Sequence, residues 1–115
     1  MDQALHLIPK DLRASALPIE SGSESGLSWD KETAIRALRS LKATKVAVDE
    51  VAVYRSEPFG VVETEENWTC SRESGEAAFD YAERTRRGAE GYIRQHAGDD
   101  LTLYLLWLDD QRGAA

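Results

Sequence analysis

The run from Leu101 to Leu108, Leu-Thr-Leu-Tyr-Leu-Leu-Trp-Leu, is apolar at both odd and even positions. Successive side chains of a strand point to opposite faces, so a strand with one wet face must alternate. This run does not alternate. Residues 101–109 are therefore predicted to form a strand that is central in a sheet or covered on both sides. Left at an edge, such a strand would pair with another copy. The run spans eight residues and includes Thr102, far short of the roughly 20 that a spanning helix needs. No membrane association is expected.

Two segments carry the helical period. Ala34, Ile35, Leu38 and Leu41 recur at helical spacing, predicting a helix over 29–43 with Ser28 as N-cap. Its acids, Asp30 and Glu32, precede Arg36, Arg39 and Lys42, an order that suits the helix dipole. The second helix is predicted over 76–96, with Ser74 as cap. Phe79, Ala82, Arg86, Ala89, Ile93 and His96 lie on one side, flanked by Tyr92. Three acid-before-base pairs four apart support it: Asp80–Arg84, Glu83–Arg87 and Glu90–Arg94. A short helix over 9–16 can start at Pro9. Residues 18–26, rich in Gly and Ser, read as a loop.

Val46, Val48, Val51 and Val53 alternate, predicting a strand over 46–55 that breaks at Asp49-Glu50 as a bulge or a turn. Pro58-Phe59-Gly60 is a turn. Short extended pieces follow at 61–63 and 67–70, and Ser71 to Gly75 turn again. The resulting expectation is an α+β fold: a small, mostly antiparallel sheet with two main helices on one face. With 115 residues and no repeat, one domain over 1–115 is expected, comprising an N-terminal segment and loop to residue 27 and a frayed tail at 111–115.

Charge narrows the partners. Residues 49–80 hold nine acids against Arg55 and Arg72, while the flanking segments nearly cancel. The middle segment thus carries the formal net charge of −7. It repels phosphate backbones, which argues against nucleic acid, and it would attract a basic protein. Simple solubility is the competing reading. Cys70 is the sole cysteine, so no internal disulfide can form and a reducing cytoplasm fits. The first six residues lack the basic start and apolar core of a signal peptide.

Catalytic chemistry finds little support. His6, His96 and Cys70 lack metal-ligand spacing, and no Gly-rich phosphate loop or nucleophile elbow occurs. Neither a cofactor nor a metal is expected. A Cys70–His96 nucleophile pair would need His96 to fold back onto Cys70, which no local rule supports. The competing reading has Cys70 as a small buried hydrophobe and His96 at a helix C-terminus. Glu63, Glu65 and Glu66 lack the alternating ligands and Gly of a calcium loop, so a solvated acidic loop is the expectation. Trp29 and Trp107 read as core. Trp68, after Glu65-Glu66-Asn67, could plug the sheet or anchor a partner.

Several groups of residues resemble a known family. They are Ile8-Pro9-Lys10, then Leu27-Ser28 leading to Ala34, Ala37 and Leu38, and a valine-rich strand ending in Val53-Tyr54. Asn67-Trp68-Thr69-Cys70, Gly75-Glu76, Phe79-Asp80-Tyr81-Ala82-Glu83-Arg84 and Tyr92-Ile93 complete them. The pattern resembles the bacterial immunity proteins catalogued as immunity protein 40. Asp49-Glu50 stands where that pattern has a Gly pair, and the loop at 18–26 is longer. Such proteins are encoded beside polymorphic toxins and protect the producing cell by binding the toxin. The resemblance therefore implies a non-enzymatic, cytoplasmic inhibitor whose partner is a toxin domain, and the acidity predicts that this domain is basic. The expected contact residues are Glu50, Glu57, Glu63, Glu65, Glu66 and Trp68. The alternatives are a small acidic adaptor and, with least support, a Cys70-dependent enzyme.

Overall fold

The computed structural model describes residues 7–21, 24–42 and 44–109. His6 and the tail expected to fray at 111–115 lie outside them. In chain order the elements are α1 (Lys10–Ala14), β1 (Leu17–Ser21), β2 (Glu24–Trp29), α2 (Lys31–Ser40), β3 (Val48–Glu57), β4 (Gly60–Thr69), α3 (Ala78–Gln95) and β5 (Thr102–Leu108). The strands form one sheet in the order β1-β2-β5-β3-β4, with every neighbouring pair antiparallel. The α+β expectation holds.

β5 is the central strand. β3 pairs with it from Thr102 to Leu108, and β2 takes part of the other edge through Ser28 and Trp29. β5 is thus internal to the sheet and not an edge strand. Its two apolar faces enter two cores. Tyr104, Leu106 and Leu108 pack with Val48, Val51 and Val53 beneath the helices. Leu105 and Trp107 pack on the reverse face with Ile19, Ala52 and Tyr54. Each such fully buried aliphatic side chain contributes about 1.5–3 kcal/mol of transfer free energy.

α2 and α3 cover the first face. Ala34, Ile35 and Leu38 of α2, with Leu41 just beyond it, and Ala89 and Ile93 of α3 are buried there, as their spacing predicts. Phe79 departs from the stripe and remains 44% exposed. Two polar side chains tie α3 to the chain entering β3. Thr85 Oγ1 accepts from Val48 N at 3.0 Å. Arg86 Nη1 donates to Thr44 O at 3.1 Å and to Val46 O at 3.0 Å. Trp29 Nε1 donates to Leu12 O at 2.7 Å, which fastens α1 to β2.

Four local expectations are corrected. Of the residues expected to form a loop at 18–26, those at 18–21 and 24–26 are instead strand residues of β1 and β2, in which Ile19 pairs with Gly26. A Cβ at Gly26 would lie 2.7 Å from Leu105 Cδ1, so the missing side chain lets the hairpin close over Leu105 and Trp107. Ser28 is not the cap of α2. It sits in β2, where its hydroxyl donates to Leu17 O at 2.9 Å, while Asp30 Oδ1 accepts from Thr33 N at 2.9 Å and starts the helix. Ser74 caps nothing: α3 begins at Ala78 after Ala77, which makes no side-chain cap. Finally, 61–63 and 67–70 are not separate pieces, because β4 is one strand from Gly60 to Thr69.

The break at Asp49-Glu50 is a bulge. Val48 pairs with Leu108 and Glu50 with Trp107, leaving Asp49 as the extra residue. A larger irregularity lies between β3 and β4. Ala52 pairs with Asn67 and Tyr54 with Glu63, so Thr64, Glu65 and Glu66 all stand opposite Val53.

Candidate partner-binding surface

The irregularity in β4 shapes the most acidic part of the molecule. Thr64 holds it in place: its Oγ1 donates to Val53 O at 2.8 Å and accepts from Glu66 N at 3.1 Å. A regular strand would send Glu63 and Glu65 to one face and Glu66 to the other. The bulged backbone instead gathers Glu50, Glu63, Glu65 and Glu66 with Thr64 and Asn67 around one shallow hollow at the sheet edge. Asn67 Nδ2 donates to Glu50 Oε2 at 3.2 Å across the β3–β4 ladder. Glu63 and Glu65 are exposed.

Glu66 is held from behind. His96, at the C-cap of α3, places Nε2 3.0 Å from Glu66 Oε1 and Nδ1 2.9 Å from the Tyr104 hydroxyl. Burial pushes the Tyr104 phenol up to about 12, and nearby Tyr92, Glu66 and Asp99 push the same way. The phenol therefore keeps its proton. With a neutral imidazole, Tyr104 O–H donates to Nδ1 and Nε2–H donates to Glu66. Lys31 Nζ donates to His96 O at 2.6 Å and closes the end of α3. A carboxylate of the sheet edge is thus oriented by the central strand and by a helix terminus. Local sequence carries no sign of this, because Glu66 lies 30 residues from His96 in the chain.

Two expected contact residues stand elsewhere. Glu57 lies on the arm of the β3–β4 hairpin, where Arg55 Nε reaches its Oε2 at 3.1 Å. Trp68 is turned inward and packs on the main core beneath α3. A Cβ at Gly88 would stand 2.7 Å from Trp68 Cζ2. Of the two readings of Trp68, the packed one describes its position.

Cys70 and His96 do not meet. Arg84 Nη1 lies 3.1 Å from Cys70 Sγ, and Tyr81 O–H donates to Cys70 O at 3.1 Å. Both nitrogens of His96 face Tyr104 and Glu66. Arg84 grips Glu76 with two bonds of 2.8 Å, replacing the expected pairing with Asp80. Those bonds, aided by the backbone amide of Glu73, bring the Glu76 carboxyl down to about 2. The other two predicted helix pairs form: Glu83–Arg87 at 3.7 Å and Glu90–Arg94 at 2.9 Å. Among the described residues no group of three His, Cys, Asp or Glu side chains is arranged to hold a metal ion, and no helix is long and apolar enough to cross a membrane.

Charge is sorted between the layers. β3 and β4 carry Asp49, Glu50, Glu57, Glu63, Glu65 and Glu66 against Arg55 alone. α2 and α3 carry more bases than acids. The molecule is therefore an acidic edge backed by a basic helical layer.

The family model described as immunity protein 40 matches residues 18–108. No curated protein and no solved structure gives a significant match. The matched span runs from β1 to the end of β5 and takes in both long helices, and the chain belongs to the immunity protein 40 family.

Proposed function

We propose that this protein neutralises a cognate toxin in the cytoplasm of the producing bacterium by binding it, without catalysis. The contact surface is the acidic edge of β3 and β4. The observation that carries the reading is the hollow at which Glu50, Glu63, Glu65 and Glu66 are gathered, in a chain of an immunity family. A basic toxin domain meeting this edge would be steered to it and would have its substrate-binding face covered. His96 supports the reading by fixing Glu66 before any partner arrives, so less freedom is lost on binding.

Charge reversal tests the proposal. Replacing Glu63, Glu65 and Glu66 together by Lys should slow association with the toxin domain encoded beside this gene by at least about tenfold at low salt. Growth rescue on co-expression should weaken with it. Glu66 also touches His96, so the Glu63→Lys, Glu65→Lys double variant isolates the surface charge. Full protection by a folded triple variant would remove this edge from the interface.

A further inference from the structure

We infer that the tip of the β3–β4 hairpin is an apolar anchor that enters a pocket on a basic protein surface. The inference rests on the toxin-binding reading and adds a second contact element to it. Glu57 pairs with Gly60, so Pro58 and Phe59 alone form the connection. Gly60 adopts φ +142°, a conformation that side-chain-bearing residues rarely take, so the loop geometry is itself specified. Phe59 is 84% exposed, more than any other large hydrophobic residue described. Val61 and Val62 follow it, also exposed. Consecutive strand residues point to opposite faces. The tip is therefore apolar at its end and on both sides. That shape suits insertion into a concavity, whereas docking on a flat surface would need one apolar face only.

The arm behind the tip is braced. Arg55 lies 3.1 Å from Glu57 and 3.0 Å from Asp99, and Ser56 N donates to Leu101 O at 2.8 Å. A hairpin whose backbone is already held loses little further freedom when its tip docks. A scattered exposed apolar residue needs no explanation, but contiguous ones rimmed by charge have the composition of an interface anchor. The rim also selects the partner. Glu57, Glu63 and Glu65 follow the tip along both strands, and the cation among them, Arg55, is engaged by carboxylates. Two copies meeting tip to tip would bring like charges together. A surface rich in Lys and Arg would not.

The test uses the full chain and the purified toxin domain encoded beside its gene, with binding followed by surface plasmon resonance. Phe59→Ala should raise Kd about 30-fold, chiefly through faster dissociation. Phe59→Leu should recover part of the loss. The melting temperature of both variants should match the parent, since the ring lies in water. Tight binding by the parent with an unchanged Kd in Phe59→Ala overturns the anchor and leaves the acidic-edge reading standing. Absence of binding by the parent overturns both. A dimer seen in sedimentation and lost in Phe59→Ala would assign the tip to self-contact and also overturn the inference.

Discussion

Gly88 and Gly91 sit one turn apart on α3 and should answer the same substitution with opposite signs. Exchanging Gly for Ala inside a helix ordinarily stabilises by up to about 1 kcal/mol. At Gly91 a Cβ meets nothing within 4 Å, so Gly91→Ala should show that gain. At Gly88 the Cβ would lie 2.7 Å from Trp68 Cζ2 and 3.3 Å from Cη2. The indole must shift out of its packing, and Gly88→Ala should destabilise by about 1–3 kcal/mol. Urea unfolding of the two variants measures both signs, and a stabilised Gly88→Ala would contradict the packed position of Trp68. Glu76 offers a test in pH. Its folded pKa, about 2, lies below the ordinary 4.5 because Arg84 and the Glu73 amide bind the charged form. A depressed carboxyl contributes stability that is complete above its unfolded pKa and is lost as pH falls through the folded one. Urea midpoints should therefore drop between pH 4.5 and about 2, and Glu76→Gln should flatten that part of the profile.

Elements differ in how plainly their residues announce them. β5 and the buried stripe of α2 were legible because burial dictates residue type directly: a doubly covered strand is apolar throughout, and a packed helix repeats its apolar positions. Their ends were less legible. Asp30 caps α2 although Ser28 is an equally good capping residue, because β2 claims Ser28 for its ladder with β1 and β5. The β1–β2 hairpin was hidden since Ser, Gly and Glu pair through backbone groups that no side chain advertises. The acids of β4 have low strand propensity and break its apparent continuity in the sequence, yet pairing with β3 carries them. The hollow depends on Thr64, a residue that local sequence does not single out. Thr64→Val keeps the shape but removes the hydroxyl that bridges Val53 O and Glu66 N. It should cost about 1–2 kcal/mol. Amides at 64–66 should exchange faster in hydrogen–deuterium measurements, and unchanged protection there would mean that the bulge does not need the hydroxyl.

For the whole molecule the decisive property is how charge is distributed relative to shape. The acidic sheet edge and the more basic helical layer give the chain a direction, so the basic partner proposed above would be turned toward β4 as it approached from solution. Raising salt to about 1 M shortens the screening length to roughly 3 Å. Association of the parent chain should then slow toward the rate of the charge-reversed variant, while the contribution of Phe59, which is apolar, should persist. By itself the sequence determined the α+β class, the two long helices, the central place of β5 and the concentration of the net negative charge in 49–80, since each follows from composition along a contiguous stretch. Only the tertiary structure decided that Trp68 turns inward, that Glu57 stands on the hairpin arm, and that His96 and Tyr104 hold Glu66. Those outcomes depend on strand register and on groups far apart in the chain meeting in space, as Glu66 and His96 do across 30 residues and Asn67 and Glu50 across 17.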